Sequence, residues 1–392
     1  MKSDFDPLAP ETFDSPHEEY RQLRERCPVA HSDAWGGFWA LLKHADVAAA
    51  AADFRTFITS RQNVVPKVAF TGRRPPLHLD PPEHTHYRRA LTPLLTEKRV
   101  APLEPVIRTI CRELLQAMVA RGGGDVVADF SAPMPIATFA NWMNLEPEAV
   151  AELTRVGRDY NIAVQSNDMD ETKRSSLLLY DMARGLVADR KRAPLPVEQD
   201  ATSALLATRV EGEPLPEEMI VGTIRQVLVV GIIAPSVTIG AFTVHLARDR
   251  ALQSQLRASP ELIPAAIEEL LRLYTPYRGF ARTAVRDVEM RGRTIPAGEP
   301  IAVVYASANR DAEVFEDPDT FRLGRENLKE SLAFGRGPHA CVGAALARLE
   351  LKVALEELLA AAPSFSLAGE PVQTRFPEIG ALSVPIRFGE PG

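Results

Sequence analysis

The residue best placed to do chemistry in this chain is Cys341, in the run SLAFGRGPHACVGAALARLELK. It stands in a glycine-rich turn just ahead of a strongly helical stretch. A cysteine at a helix N-terminus meets the positive end of the macrodipole and free backbone N–H groups, and both favour thiolate over thiol. Gly335, Gly337 and Gly343 let the backbone fold closely around the sulfur and leave room for a flat ligand to approach. A thiolate so placed serves as a nucleophile, a redox centre or an iron ligand; a plain buried cysteine is the competing reading. Cys27, Cys111 and Cys341 are the only cysteines, an odd and sparse set with no CxxC spacing and no disulfide framework.

The elements that must position this turn are mostly helical. Apolar residues recur at three and four in HEEYRQLRERC, HTHYRRALTPLLT, RVAPLEPVIRTICRELLQAMVA and ETKRSSLLLYDMARGLVADRKR, which predicts amphipathic helices. Short strands are expected in GGFWALL, VEMRGRTIPAGEPIAVVYA and LSVPIRF, each bounded by Gly or Pro. Two segments are apolar nearly all round: AALARLELKVALEELLAAA after Cys341, and MIVGTIRQVLVVGIIAPSVTIGAFTVHLA, which only Arg225, Gln226 and His245 interrupt. The second is expected to be a central buried helix and not a membrane span. The fold class is therefore mainly α with small β-sheets.

Apolar residues are 45% and charged residues 25% of the chain, enough for a large core. A net charge of −7, with no long basic run, argues against a nucleic-acid partner. The N-terminal stretch is polar and acidic and carries no apolar run of the signal or anchor type, so a cytoplasmic protein with no membrane partner is expected. The 32 prolines scatter at element boundaries and form no linker, which favours one domain over 1–392.

Phe334, Gly335, Gly337, His339, Cys341 and Gly343 reproduce FGxGxHxCxG without mismatch, and in this the chain resembles the cytochrome P450 family, specifically its soluble bacterial type. The resemblance implies a triangular prism with haem b between the central helix and the cysteine turn. Cys341 would be the axial thiolate, whose electron donation favours O–O cleavage. Glu269 and Arg272, in PAAIEELLRLYTPYRGF, match the family's ExxR pair, a spacing that on its own usually marks a solvated helix face. The family completes the pair with an arginine where this chain has Thr320, so Arg322 or Arg325 is the substitute expected. His84 and Arg88 match HxxxR, and Arg282 and His339 match two further contacts to the haem propionates, which arginine forks suit.

The chain departs from the family where an A/G-G-x-D/E-T-T stretch normally supplies an acid and an alcohol for proton delivery. Val230, Gly231, Ile232, Ile233, Ala234 and Pro235 stand there instead. Gly231 is expected to keep a slot over the haem, and Pro235 to kink the helix by removing an N–H. Ser236 and Thr238 are candidates to hold a water, which makes Gly231, Ile233, Ala234 and Ser236 the catalytic candidates. The activity implied is insertion of one oxygen atom from O2 into a small organic substrate by hydroxylation, dealkylation or epoxidation. The alternative, which the lost pair raises, is a peroxide-driven or non-oxygenating haem-thiolate enzyme. The pocket maps to ITSRQNVVPKVAF, Val229 to Ala234 with Val230 foremost, Tyr277, Arg278, Phe280 and Ile379 to Leu382. Arg278 there either grips a carboxylate or faces outward. No flavin or iron–sulfur motif is present, so a separate ferredoxin or flavodoxin with its reductase is implied, steered by Arg89, Arg108, Arg112, Arg336 and Arg348.

Overall fold

A computed structural model describes residues 3–10, 16–67 and 71–389. The end of ITSRQNVVPKVAF, residues 68–70, lies outside them. The helices that position the site, numbered here in chain order, are α1 (Glu83–Leu91), α2 (Glu104–Ala120), α3 (Pro133–Trp142), α4 (Pro147–Ser166), α5 (Met169–Arg192), α6 (Glu217–Arg248), α7 (Ile263–Leu273) and α8 (Ala344–Ala361). The strands are β1 (Val29–Ser32), β2 (Phe38–Leu41), β3 (Phe57–Ile58), β4 (Gly123–Asp125), β5 (Ala281–Ala284), β6 (Pro300–Val303), β7 (Ser364–Leu367) and β8 (Pro385–Gly389). A five-stranded sheet runs β1-β2-β6-β5-β3, with Ile301 beside Trp39 in its one parallel pairing, and a smaller sheet runs β7-β8-β4.

Helix α6 is long and apolar enough to cross a membrane, but 83% of its most apolar stretch is buried inside the fold. Its two halves serve different cores. Ile220, Ile224, Leu228 and Ile232 pack with Phe139, Trp142, Leu153, Val156 and Leu179 from α3, α4 and α5. Ile239, Phe242 and Leu246 pack with Cys111, Leu115, Leu270, Leu355 and Leu358 from α2, α7 and α8. The helix is apolar on every face because it has a neighbour on every face.

Two residues of α6 singled out in the sequence have defined local surroundings. The helix continues through Pro235 from Glu217 to Arg248 and is not broken there. Proline still removes one hydrogen bond of the ladder, the one that the carbonyl of Gly231 would accept. The glycine itself answers to a neighbour: a Cβ at Gly231 would lie 2.4 Å from the ring of Phe139, so packing against α3 requires the small residue.

Glu350 on α8 is an anomaly of the core. It is buried, and its Oε1 has no hydrogen-bond partner. Burial pushes its carboxyl well above the usual carboxylate range. A carboxyl raised on folding costs stability as pH climbs past its unfolded value of about 4.3. Glu350→Met should therefore raise the melting temperature, by about 1–3 kcal/mol of stability near neutral pH, and by less at pH 5 than at pH 8. Thermal melts at the two pH values check this, and a variant that melts lower at both contradicts it.

Candidate active site

The cysteine turn is shaped by its glycines. Gly335 and Gly337 take φ of 71° and 74°, a left-handed backbone that side chains resist. A Cβ on Gly337 would also meet the carbonyl of Ala51 at 2.5 Å. The turn closes with the Cys341 N–H donating to Phe334 O at 2.8 Å. Gly343 caps α8, and its own requirement for glycine is weak, since a Cβ there would sit at an ordinary 3.9 Å from Cys341 Sγ. Cys341 is exposed. Val342 and Leu346 beside it join the apolar cluster of Val229, Ile232 and Ile233, which seats the turn against the middle of α6.

The protein by itself does not make this thiol acidic. Crowding around the sulfur pushes the thiol up, while the Gly343 N–H and the charges of Arg88 and Arg348 act the other way without prevailing. A metal does what the fold does not, because a coordinating thiol is deprotonated outright.

Beside the thiol stand two guanidiniums and two imidazoles, with Asp80 the acid whose charge reaches His84. Arg88, on α1, carries a charge that acts on Cys341, and burial lowers its own pKa. Arg282, on β5, is buried and spends one Nη1–H on the carbonyl of Ala281 at 2.9 Å. The rings of His84 and His339 lie 4.5 Å apart. Burial first, then the neighbouring guanidiniums, depress His84 to about 4 and His339 to about 3. His84 Nε2 is buried with no partner, and His339 Nε2 lies 3.2 Å from Thr59 Oγ1. Among the described residues neither Arg88 nor Arg282 forms an ion pair. A thiol ligand flanked by two such guanidiniums and two imidazoles fits iron held by sulfur with two propionates beside it.

Behind the turn the ExxR pair is not a solvated face. Glu269 and Arg272 are both fully buried and joined by two bonds of 2.8 Å, Arg272 Nε to Oε2 and Nη2 to Oε1. Arg325 completes the group, donating from Nε to Oε1 at 3.0 Å. Arg322 gives only its backbone N–H, at 3.0 Å, and sends its side chain outward to Glu316 and Asp317. Arg272 Nη1 donates to the carbonyls of Asn309 and Pro318 at 2.8 and 2.7 Å, and Asn309 Oδ1 accepts the Leu332 N–H at 2.7 Å. The pair is thereby tied to the strand of chain that leads into the cysteine turn.

The remaining candidates are distributed as follows. Val230 is 47% exposed in a stretch of α6 whose neighbours are mostly buried, and Ala234 is partly buried on the same face. Ile233 is buried. Ser236 is buried, its carbonyl accepting from Ser131 Oγ at 2.9 Å. The Thr238 hydroxyl is committed to Ala234 O at 2.6 Å. Tyr277 and Phe280 pack ring to ring at 4.4 Å, Tyr277 pairs across a β-bridge with Glu378, and Leu382 is half-buried nearby in sequence. Arg278 does not face outward: it is 2% exposed, lies over Phe376 and donates to Thr374 O at 3.3 Å.

The cationic face expected for a redox partner is largely neutralised. Arg108 is paired with Glu104, Glu356 and Glu357, Arg112 with Glu357, Arg348 with Glu268 and Arg336, more loosely, with Glu330. Arg89 is exposed.

Sequence reasoning missed a second polar group, made by Arg74, Tyr160, Gln165, Arg225 and Glu378. Only Arg225 announced itself, as an interruption in an apolar run. Glu378 accepts from Gln165 Nε2, and burial pushes its carboxyl up to about 7 although Arg278 pulls it down. Burial, Glu378, Tyr160 and Cys341 together push the Tyr277 phenol well up, so Tyr277 stands within electrostatic reach of both the thiol and this second group.

Comparison with known proteins agrees with this geometry. The cytochrome P450 family model matches residues 180–378. A cytochrome P450 of Mycobacterium tuberculosis is 32% identical over 94% of this chain and 93% of its own length. The mycinamicin IV hydroxylase/epoxidase of Micromonospora griseorubida is 32% identical over 94% of each. A solved cytochrome P450 of Chondromyces apiculatus superposes with a TM-score of 0.89 at 30% identity, covering 100% of this chain and 99% of that one. Fold, thiol turn, buried ExxR triad and relatives therefore place this chain in the cytochrome P450 family, as a haem b monooxygenase.

Proposed function

We propose that the chain is a single haem domain that inserts one oxygen atom from O2 into a small organic substrate, with Cys341 as the iron ligand and electrons from a separate ferredoxin or flavodoxin. The observation that carries it is the exposed Cys341 beside the half-buried Arg88, the buried Arg282 and the imidazoles of His84 and His339. Arg88, Arg282, His84 and His339 would hold the propionates. Haem bound this way supplies oxygen activation. No flavin or iron–sulfur motif occurs among the 392 residues, which supports an outside electron source. Burial of α6 within the fold supports a place in the cytoplasm.

The chain's own contribution to proton delivery differs from the family pattern. Ile233 and Ala234 bear no acid or alcohol, and the Thr238 hydroxyl is already spent on the helix. The polar groups left in the stretch are the Ser236 hydroxyl and the Gly231 carbonyl, which Pro235 relieves of its helical donor and which can hold a water there. Ordinary coupling through that water is the reading adopted. Thr238→Val should then change product formed per electron by less than about twofold, since its back-bond is local to the helix. The decisive comparison is product against released peroxide with reduced ferredoxin, run beside hydrogen peroxide as sole oxidant. Close coupling with ferredoxin supports monooxygenation from O2. Turnover confined to added peroxide would establish the peroxide-driven alternative, which the missing acid and alcohol motivate.

A further inference from the structure

A helix that only has to be buried has no use for Arg225. The residue is 0% exposed in the middle of α6. Its guanidinium lies over the ring of Tyr160 at 4.9 Å and that of Tyr180 at 5.9 Å, donates from Nη2 to Ser176 Oγ at 2.8 Å, and approaches Gln226 Oε1 at 3.5 Å. Its Nε is buried with no partner. A second guanidinium is brought to it. Arg74 is 6% exposed and donates to His78 Nε2 at 3.0 Å, and burial followed by the charge of Arg225 lowers its pKa.

The approach is built into the backbone. A Cβ on Gly222 of α6 would lie 2.0 Å from the carbonyl of Arg73, and Tyr180 Oη donates to that same carbonyl at 3.2 Å. Chain segment and helix are in contact, so the two cations are held together against their repulsion. Neither forms an ion pair with any described carboxylate. Glu378, whose charge reaches Tyr160, is engaged by Gln165 and lies in the field of Arg278. Tyrosine rings offset a buried guanidinium only in part, and two unmatched charges in an interior are strongly unfavourable unless an anion joins them. Burial pushes the Tyr160 phenol up, and the two guanidiniums more than reverse it. These surroundings favour negative charge.

We propose, on the reading of the chain as a haem-thiolate monooxygenase, that Arg225 and Arg74 grip the carboxylate of the substrate. The substrate class is then a small organic acid. Its apolar end lies along Val229 and Val230, four and five residues further along α6, a rise of about 6–7.5 Å along the helix. One benzene ring or a short alkyl chain spans that distance. Arginine forks select a carboxylate and have nothing comparable to offer the matching amide.

The test uses haem-loaded protein and two probe pairs, 4-methylbenzoate with 4-methylbenzamide and octanoate with octanamide. Dissociation constants are taken from the spin-state shift and, independently, from calorimetry. At least one acid should bind tenfold or more tighter than its amide. Arg225→Leu should bring that ratio within about threefold while haem content stays unchanged, and the ligand-free variant should melt no lower than the parent, since removing an unmatched buried charge does not destabilise. Should that variant fail to fold, Arg74→Leu reads the same ratio. Equal affinity for acid and amide in both pairs overturns the proposal, and so does an acid preference that survives both substitutions. A protein that takes up no haem overturns the monooxygenase reading alone, because calorimetry on the haem-free protein still compares acid with amide.

Discussion

Glu269→Gln should yield a chain that neither folds stably nor retains haem. The carboxylate is fully buried and accepts from Arg272, from Arg325 and from the backbone of Arg322. Without its charge, two guanidiniums are left in the interior with no anion, and breaking a buried pair in this way costs about 3–5 kcal/mol. That is a large share of the 5–15 kcal/mol by which domains are generally stable. The loss also reaches the site, because Arg272 holds Asn309 and Asn309 holds Leu332, nine residues before the cysteine. Thermal melts and the haem-to-protein ratio check the expectation. Arg325→Leu gives the internal control: it removes one cation, leaves Glu269 paired with Arg272, and should lose less stability than Glu269→Gln. Equal stability of Glu269→Gln and the parent would show that the triad is not what holds the turn.

The second large effect is expected at Cys341 and is of the opposite kind. Cys341→Ser keeps the Gly335 and Gly337 turn and the buried triad, neither of which uses the sulfur, and leaves a hydroxyl to accept the Gly343 N–H at the α8 cap. Melting of the haem-free variant should therefore match the parent. Turnover should fall by more than about a hundredfold, since changing even the outer partners of a metal ligand costs 10–100-fold. Stability lost together with activity would instead mark the cysteine as a packing residue, the competing reading with which the sequence began.

Much of this molecule was legible before any coordinates, and the parts that were not share a physical cause. Amphipathic helices such as Met169–Arg192 declare themselves because one face is wet, and the central helix because it is apolar all round. Cys341 stood out by its glycine-rich turn before a helix, whereas His84, Arg88, Glu269 and Arg272 stood out only through the resemblance to family motifs, since their spacing alone fits an ordinary helix face. The third member of the ExxR group could not be read, because Arg322 and Arg325 are three apart and only the path of the loop decides which side chain turns inward. Arg74 and Tyr160 went unseen for the same reason: each looks like an ordinary residue in its own segment, and only the contact at Gly222 brings Arg74 to Arg225. Arg108, Arg112 and Arg348 were likewise read without the glutamates that the fold sets beside them, while Arg89 forms no ion pair among the described residues.

The central claim is that the Cys341 sulfur binds haem iron, and the carbon-monoxide difference spectrum of the reduced protein tests it most directly. The account predicts a strongly red-shifted Soret band in the parent protein and its absence from Cys341→Ser loaded with the same haem. A folded parent protein that takes up haem and shows no such band, or a band that persists in the serine variant, would contradict it.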